Sequence, residues 1–408
     1  MKAIVLAAAK SEKLLPFVKS RPKSMIPIAG CYILQTILQQ IKSAGIHEVW
    51  IVVNHKREII QEHFQYGKSI GLKLDYIVQS EESGIGNAVA LCEQNINDDH
   101  FMLVYGDALM TGNPFENLLQ VFERGNRQSI ATISHPSSEG AYGNVYLSHD
   151  MTISRFIEKP KDSRLSNYIF GGSFILRRSC FQFLKNNNYD MVALYQDLIT
   201  QKHLEASLWE DQWMDLSRPW HILLANQMMM APWNASHIPS SVQIEQNVSI
   251  SGVVKFGENV KVKSGTTIVG PCYIGSDVYI GNSTLIRENA SIGTGTVIGY
   301  GTEIKNAVLF GNSNIGRLSF IGDSVFGDNV QIGSGTMTLN HDINQNKILL
   351  LQTNTPPLET NLPKLGSFVG DNSIIGAGNT IAPGTVIPAE TKLLDNITIS
   401  DETIKNLL

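Results

Sequence analysis

The sequence predicts two folded parts in one chain: an α/β domain on a parallel sheet, then a triangular parallel β-helix. Two patterns and the chain's size support this. Residues 1 to about 230 alternate apolar strand-like runs with helix-like segments. From Ile238 onward, large apolar residues return every six positions. The chain has 408 residues, 43% of them hydrophobic and 17% charged, enough to bury more than one core.

In the first part, the apolar run from Ala3 to Ala8 reads as a strand. Ile33 to Ala44 has helical spacing, and Gly45 behind it supplies a C-cap. Val49 to Val53 is the next strand, residues 57 to 64 a helix, Leu74 to Val78 a strand, and another helix starts near Gly86. Phe101 to Tyr105 is a further strand that stops at Gly106-Asp107. Strands and helices alternating at this spacing indicate a parallel sheet covered on both faces. Ligands of such sheets sit beyond the carboxyl ends of the strands. Chemistry is therefore expected after Lys10 and after Tyr105.

In the second part, thirteen large residues keep one phase from Ile238 to Phe310, and a small or β-branched residue follows four positions later, from Val242 to Val308. Three hexads per coil turn the large residue inward and stack each coil on the next. The phase slips by one at Ile315 and again at Phe326. A polar excursion interrupts at about 340–364, and the repeat resumes with Val369, Ile375, Ile381 and Ile387. The expected domains are 1–230, a linker at 231–237, a solenoid at 238–390 and a tail at 391–408, with a short helix from Ser400. Flat solenoid faces suit side-by-side packing, so a homo-oligomer, a trimer first, is expected through this half.

Composition narrows the function. With 32 Lys+Arg against 37 Asp+Glu the formal charge is −5, so no basic excess points to nucleic acid. No apolar run approaches the ~20 residues of a membrane span. The opening MKAIVLAAAK has no export pattern, and a cytoplasmic protein is expected. Cys31, Cys92, Cys180 and Cys272 lie far apart, with neither zinc-ligand spacing nor disulfide density.

Six segments occur in order: LAAAKSEKLLPFVKSRPKSMIPIAG near the start, Gln79 with GIGNAVA (84–90), VYGD (104–107), AYGNV (141–145), IEKP (157–160) and WMDLSRPWHILLAN (213–226). This set resembles the sugar-1-phosphate nucleotidylyltransferases. With the solenoid attached, the chain resembles archaeal and bacterial proteins that fuse such an enzyme to an acetyltransferase-type β-helix. The resemblance implies a Rossmann-like nucleotidyltransferase domain followed by a left-handed parallel β-helix. It implies attack of a sugar-1-phosphate oxygen on the α-phosphorus of a nucleoside triphosphate, UTP or dTTP, with loss of pyrophosphate. It places Mg²⁺ on Asp107 and Asp215, with Asp107, Lys13 and Lys23 as catalytic residues, the lysines on the triphosphate. Ala8, Ala9, Gln79, Gly84 and Ala88 would surround the nucleotide, and Gly143, Glu158 and Lys159 the sugar phosphate. The residue types suit the chemistry, because two anions must approach and cations and backbone N–H donors offset their repulsion.

The sequence departs from the family pattern in the nucleotide loop. Ala9 and Ser11 replace glycines that let backbone N–H groups close on phosphates. Lys13 replaces a forked arginine, and Leu15 stands at an often basic position. Phe170 replaces an asparagine of the sugar pocket, and Asn87 a threonine. Two readings follow: an enzyme for which Lys13 and Lys23 suffice, or a catalytically degenerate assembly or regulatory paralogue that still binds nucleotide-sugar. In the solenoid, GRLSFIGDS (316–324) puts Arg317 where acetyltransferase relatives carry a histidine base. Arginine cannot accept a proton at neutral pH. His341, beside Asn340, is the other candidate base, and assembly is the expected role of the solenoid.

Overall fold

The computed structural model describes the whole chain except residues 81–82, 126–128, 137–141, 160–165, 343–346, 351–356, 401–402 and 405–408. It divides into two compact units. One comprises 1–10, 21–25 and 32–215; the other comprises 11–20, 26–31 and 216–408.

The first unit opens with β1 (Lys2–Ala7), α1 (Ile33–Ser43), β2 (Glu48–Val53), α2 (Arg57–Phe64), β3 (Lys73–Val78), α3 (Gly84–Ala90) and β4 (His100–Tyr105). α1 buries Ile33, Leu34, Ile37, Leu38 and Ile41, the stripe its spacing predicts. Gly45, at φ +89°, ends it: the Gly45 N–H donates to Lys42 and the Ile46 N–H to Ile41, which closes the last carbonyls. β5 (Ser129–Ser134), β6 (Asn144–Leu147), β7 (Ile153–Ile157), β8 (Tyr168–Arg177) and β9 (Leu204–Trp209) complete a nine-stranded sheet. Its order is β7-β6-β8-β4-β1-β2-β3, with β5 beside β8 and β9 beside β5.

The expectation of a parallel sheet holds for β1 to β4 and for the β5–β9 pair. It fails at β8, which runs antiparallel to β4, β5 and β6. β8 is an almost continuous buried run, and such a run fixes that a strand is central without fixing its direction. Ala108–Met110 and Trp213–Asp215 form a separate antiparallel pair that sets Asp215 opposite Ala108.

The second unit carries three parallel sheets of eight, eight and seven short strands, the three walls of the β-helix. Ser249 pairs with Thr267, and Thr267 with Leu285, one coil at a time. Ile268, Ile274, Ile280, Ile286, Ile292 and Ile298 are fully buried along the axis. Asn247, Asn259, Asp277 and Asn289 take positive φ near +60° at the corners, which suits Asn and Asp and explains the polar turns.

The phase expected from sequence is corrected at one coil. Leu309, not Phe310, pairs with Ile292 and joins the core, and Ala307 joins it in place of Val308. The slip thus falls before Leu309 instead of at Ile315, and Phe310 faces outward. Ile238 and Ile244, at the first coil, have no coil before them and stay exposed. Phe326 pairs with Val369, 43 residues on, so the wall continues directly from one side of the polar excursion to the other. The strands Lys392–Leu393 and Thr398–Ile399 continue the walls into the stretch expected as a tail, because Leu393 and Ile399 keep the inward phase. Most of the terminal helix expected from Ser400 lies outside the described residues.

Candidate active site

A cleft of about 340 Å³ opens at the carboxyl ends of β1 and β4. Ala8, Ala9 and Lys10 leave β1 along one side, and Tyr105 and Asp107 end β4 on the other. Gln79 and the first turns of α3, with Gly84, Ile85 and Ala88, complete the lining. This is the end of the strands where an open α/β sheet offers a binding crevice. The Gln79 side chain is buried and donates to the Gly84 carbonyl at 3.0 Å and to Asn87 Oδ1 at 3.4 Å. Gly84 takes φ +85°, a conformation open to glycine, and so begins α3 against this tether. Asn87, at the position where the family has threonine, is thereby an acceptor for Gln79.

Asp107 and Asp215 are brought together by the Ala108–Met110/Trp213–Asp215 pair. The Lys23 ammonium lies between them, donating to Asp107 Oδ2 at 2.9 Å and Asp215 Oδ1 at 2.6 Å. Lys23 is only 6% exposed. Burial acts against its charge, but attraction and hydrogen bonds from both carboxylates outweigh that cost, and its pKa lies above the ordinary lysine value. Lys23 therefore keeps its proton at neutral pH. Tyr105 and Tyr195 stand hydroxyl to hydroxyl at 3.0 Å. Burial pushes Tyr105 up to about 12, so it stays a neutral phenol.

Two carboxylates are a donor set of the chemical kind that a divalent cation such as magnesium takes from a protein. Such a cation takes one or two carboxylates and completes its shell with substrate phosphate oxygens and water. The position on which Asp107 Oδ2 and Asp215 Oδ1 converge holds the Lys23 ammonium, and each aspartate side chain is just over a quarter exposed. Among the described residues no group of three or more His, Cys, Asp or Glu side chains forms a protein-only cage.

Gly143, Glu158 and Lys159 also come together. A Cβ on Gly143 would stand 2.4 Å from the Phe156 ring and 3.1 Å from Glu158 Oε2, so only glycine admits both neighbours. Glu158 pairs with Lys159 at 3.5 Å, both largely exposed. Phe170 packs on Phe156 and Tyr195, each at 4.9 Å between ring centroids, so the residue in the family's asparagine position is part of an aromatic cluster. Ala141 and Pro160 of the flanking motifs lie outside the described residues.

Lys13 falls in the other compact unit, exposed on the short 3₁₀ turn Glu12–Leu14. Sequence reasoning passed over Lys10 and Tyr105, both of which line the cleft. Tyr105 sits within the VYGD motif, and Lys10 directly follows the alanines, so their positions carried the signal. On the solenoid, His341 lines a separate cleft of about 800 Å³ with Asn340, Asp342, Lys347 and Lys364, and Asn340 donates to Asp323 at 2.7 Å. Arg317 is exposed at a solenoid corner and is not part of that lining.

A Rossmann-like sheet with a cleft beyond its strand ends, where Asp107 is joined through buried Lys23 to Asp215, places the chain among α/β domains that bind ligands at that edge. Residues 2–230 match the nucleotidyl transferase family and residues 268–350 match the GMPPB C-terminal domain; the chain belongs to the nucleotidyl transferase family. It is 35% identical to the bifunctional protein GlmU of Methanococcus maripaludis (strain C7), across 100% of this chain and 96% of that one. It is 27% identical to a bifunctional sugar-1-phosphate nucleotidylyltransferase/acetyltransferase of Sulfurisphaera tokodaii, across 96% of each. Among solved structures, a Bacillus anthracis chain assigned as a glucose-1-phosphate thymidylyltransferase superposes with a TM-score of 0.54 at 18% identity. That superposition covers 58% of this chain and 98% of the other, and it shows a shared fold alone. Among the described residues no helix is long and apolar enough to cross a membrane.

Proposed function

We propose that the cleft joins a nucleoside triphosphate, UTP or dTTP, to a hexose-1-phosphate in the cytoplasm. An oxygen of the sugar's phosphate attacks the α-phosphorus; a new P–O bond forms, the bond to the terminal diphosphate breaks, and pyrophosphate leaves. The observation that carries this reading is the Lys23 ammonium held by Asp107 and Asp215 next to a cleft lined by Ala8, Ala9 and Gln79. Paired with two carboxylates the ammonium is already neutralised; released from them it would lower the repulsion between two phosphates, and more strongly in a site of low dielectric than in water. Asp107 and Asp215 would hold Mg²⁺, which when bound neutralises phosphate charge and orients the attack. Lys13, with Lys23, would serve the triphosphate. Gln79, Gly84 and Ala88 would read the base, and Gly143, Glu158 and Lys159 would seat the sugar and its phosphate. The solenoid would assemble three copies: Tyr279, Val297 and Ile374 expose apolar side chains on one of its walls.

Pyrophosphate release, measured with a panel of triphosphates against hexose-1-phosphates, tests the reading. Turnover is expected with at least one pair, and Asp107→Ala should lower it by about a hundredfold or more. No release across the panel, with nucleotide-sugar binding still seen by calorimetry, would replace it with the non-catalytic reading. The cleft around His341 supports acyl transfer as a second reading. Thiol release from acetyl-CoA with a hexosamine-1-phosphate tests it.

A further inference from the structure

Tyr105, the last residue of β4, lines the cleft, and its hydroxyl stands 3.0 Å from that of Tyr195. Tyr195 comes from the helix Met191–Thr200 and is only 4% exposed. Aromatic neighbours hold its ring. Phe174 stacks on it at 5.3 Å, Phe170 packs at 4.9 Å and Phe156 meets it edge-on at 5.6 Å between centroids. Phe170 and Phe174 belong to β8 and Phe156 to β7, so two strands fix the ring that the helix delivers. Phe156 is also the ring that a Cβ on Gly143 would strike, which puts Tyr195 behind the Gly143–Glu158 group.

The pair of hydroxyls has a direction. A phenol has one proton to donate and lone pairs with which to accept. Among the described residues the Tyr195 hydroxyl meets no hydrogen-bond partner except Tyr105. Were Tyr105 the donor, the Tyr195 proton would be left without an acceptor beside three phenylalanine rings, and an unpaired buried donor is costly. Tyr195 therefore donates to Tyr105. Tyr105 lines the cleft, so its own proton is left for a ligand oxygen there. Hydrogen bonds in such a chain polarise one another, and a hydroxyl that accepts becomes the better donor. Phe170 closes the alternative. The asparagine of the family pattern has a carbonyl oxygen to offer as a second acceptor, and phenylalanine has none.

We propose that Tyr105 donates its hydroxyl proton to an oxygen of the sugar-1-phosphate, and that Tyr195 is the positioning residue that gives the Tyr105 hydroxyl this direction. The ligand follows from the placement. Tyr105 stands two residues before Asp107, and its partner Tyr195 packs on the Phe156 ring that borders Gly143 and Glu158. The hydroxyl pair thus takes over a polar contact that Phe170 can no longer make. The inference rests on the nucleotidyl-transfer reading for the identity of the ligand, but sugar-phosphate binding can be measured without turnover.

The test uses the full chain as Tyr195→Phe, Tyr105→Phe and the double variant. Each single change removes one oxygen and keeps the ring. KM for the hexose-1-phosphate should rise roughly three- to tenfold in either single variant, the scale of one hydrogen bond. KM for the triphosphate should stay within about twofold, whereas a loss of local packing would move both values. Because Tyr195 acts through Tyr105, the double variant should be no weaker than Tyr105→Phe alone. Calorimetry with each hexose-1-phosphate of the panel reads the same weakening as a Kd. The double variant leaves neither hydroxyl without its partner and serves if a single variant does not fold. Unchanged sugar-phosphate KM and Kd in Tyr195→Phe overturn the positioning role, and additive losses in the double variant overturn the coupling. A rise confined to the triphosphate assigns the proton to the nucleotide and overturns the proposal. A wild-type chain that binds a hexose-1-phosphate without turnover ends the nucleotidyl-transfer reading, while the Kd series still decides the hydroxyl pair; a chain that binds none overturns both.

Discussion

At the scale of single residues, the pattern of burial decides which groups are chemically available. Burial pushes Cys92, Cys180 and Cys272 up to about 12, whereas Cys31 is half-buried, with Lys255 opposing the same upward pull. The thiolate is the reactive form. Iodoacetamide at about pH 8 should therefore label the folded chain at Cys31 alone, as read by peptide mass; labelling at Cys272 would contradict the packed solenoid core. Gly143 gives a second residue-level expectation. In Gly143→Ala the new methyl meets Phe156 and Glu158 Oε2, so one of them must move. KM for the sugar phosphate should rise by about tenfold with kcat little changed, the signature of lost ground-state binding. An unaltered KM would separate Glu158 from the sugar site.

Elements follow from local pattern where each carries its own instructions. α1 is set by five apolar residues at helical spacing and by a glycine stop. The solenoid is set by one large inward residue per strand, with Asn, Asp or Gly at the corners. Because each coil touches only its neighbours, damage at one coil should act locally but drain the whole stack. Ile298→Ala, at a fully buried axial position, should destabilise the solenoid by about 2–5 kcal/mol in urea unfolding. A loss below about 0.5 kcal/mol, the scale of surface changes, would show that the axis is not close-packed there. β8 is the element that local pattern could not orient, since antiparallel pairing to β4 depends on the route of the chain before it.

For the whole molecule, compact units and sequence boundaries do not coincide. The stretches 11–20, 26–31 and 216–230 precede the first solenoid strand, yet they belong to the solenoid's unit. Asn226, fully buried, accepts the Ala29 N–H at 2.9 Å and donates to the Asn289 carbonyl at 2.8 Å. Truncation at Asn234 removes Asn289 from these partners, and Phe310 and Phe368 from Phe17, whose ring packs on both. The remaining piece should come out aggregated and not as a compact monomer; a soluble, cooperatively unfolding fragment would refute that dependence. The intact chain should scatter light as three times its 45.0 kDa, and Val297→Asp should shift it toward the monomer. A monomeric wild type would leave the exposed wall without the proposed partner.

The sequence by itself determined the periodic and the local, namely the hexad solenoid and the early strands and helices, whereas Gln79, Gly84, Ala88 and Asp107 were pointed to by resemblance of ordered motifs to a family. These were legible because burial repeats at a fixed interval, and because short segments carry their own capping and turn chemistry. Only the tertiary structure decided how Lys23 meets Asp107 and Asp215, which way β8 runs, and why Phe310 leaves the core to meet Phe17. Each of those joins residues far apart in the chain, and such contacts are fixed by packing and charge balance in three dimensions, which no local spacing encodes.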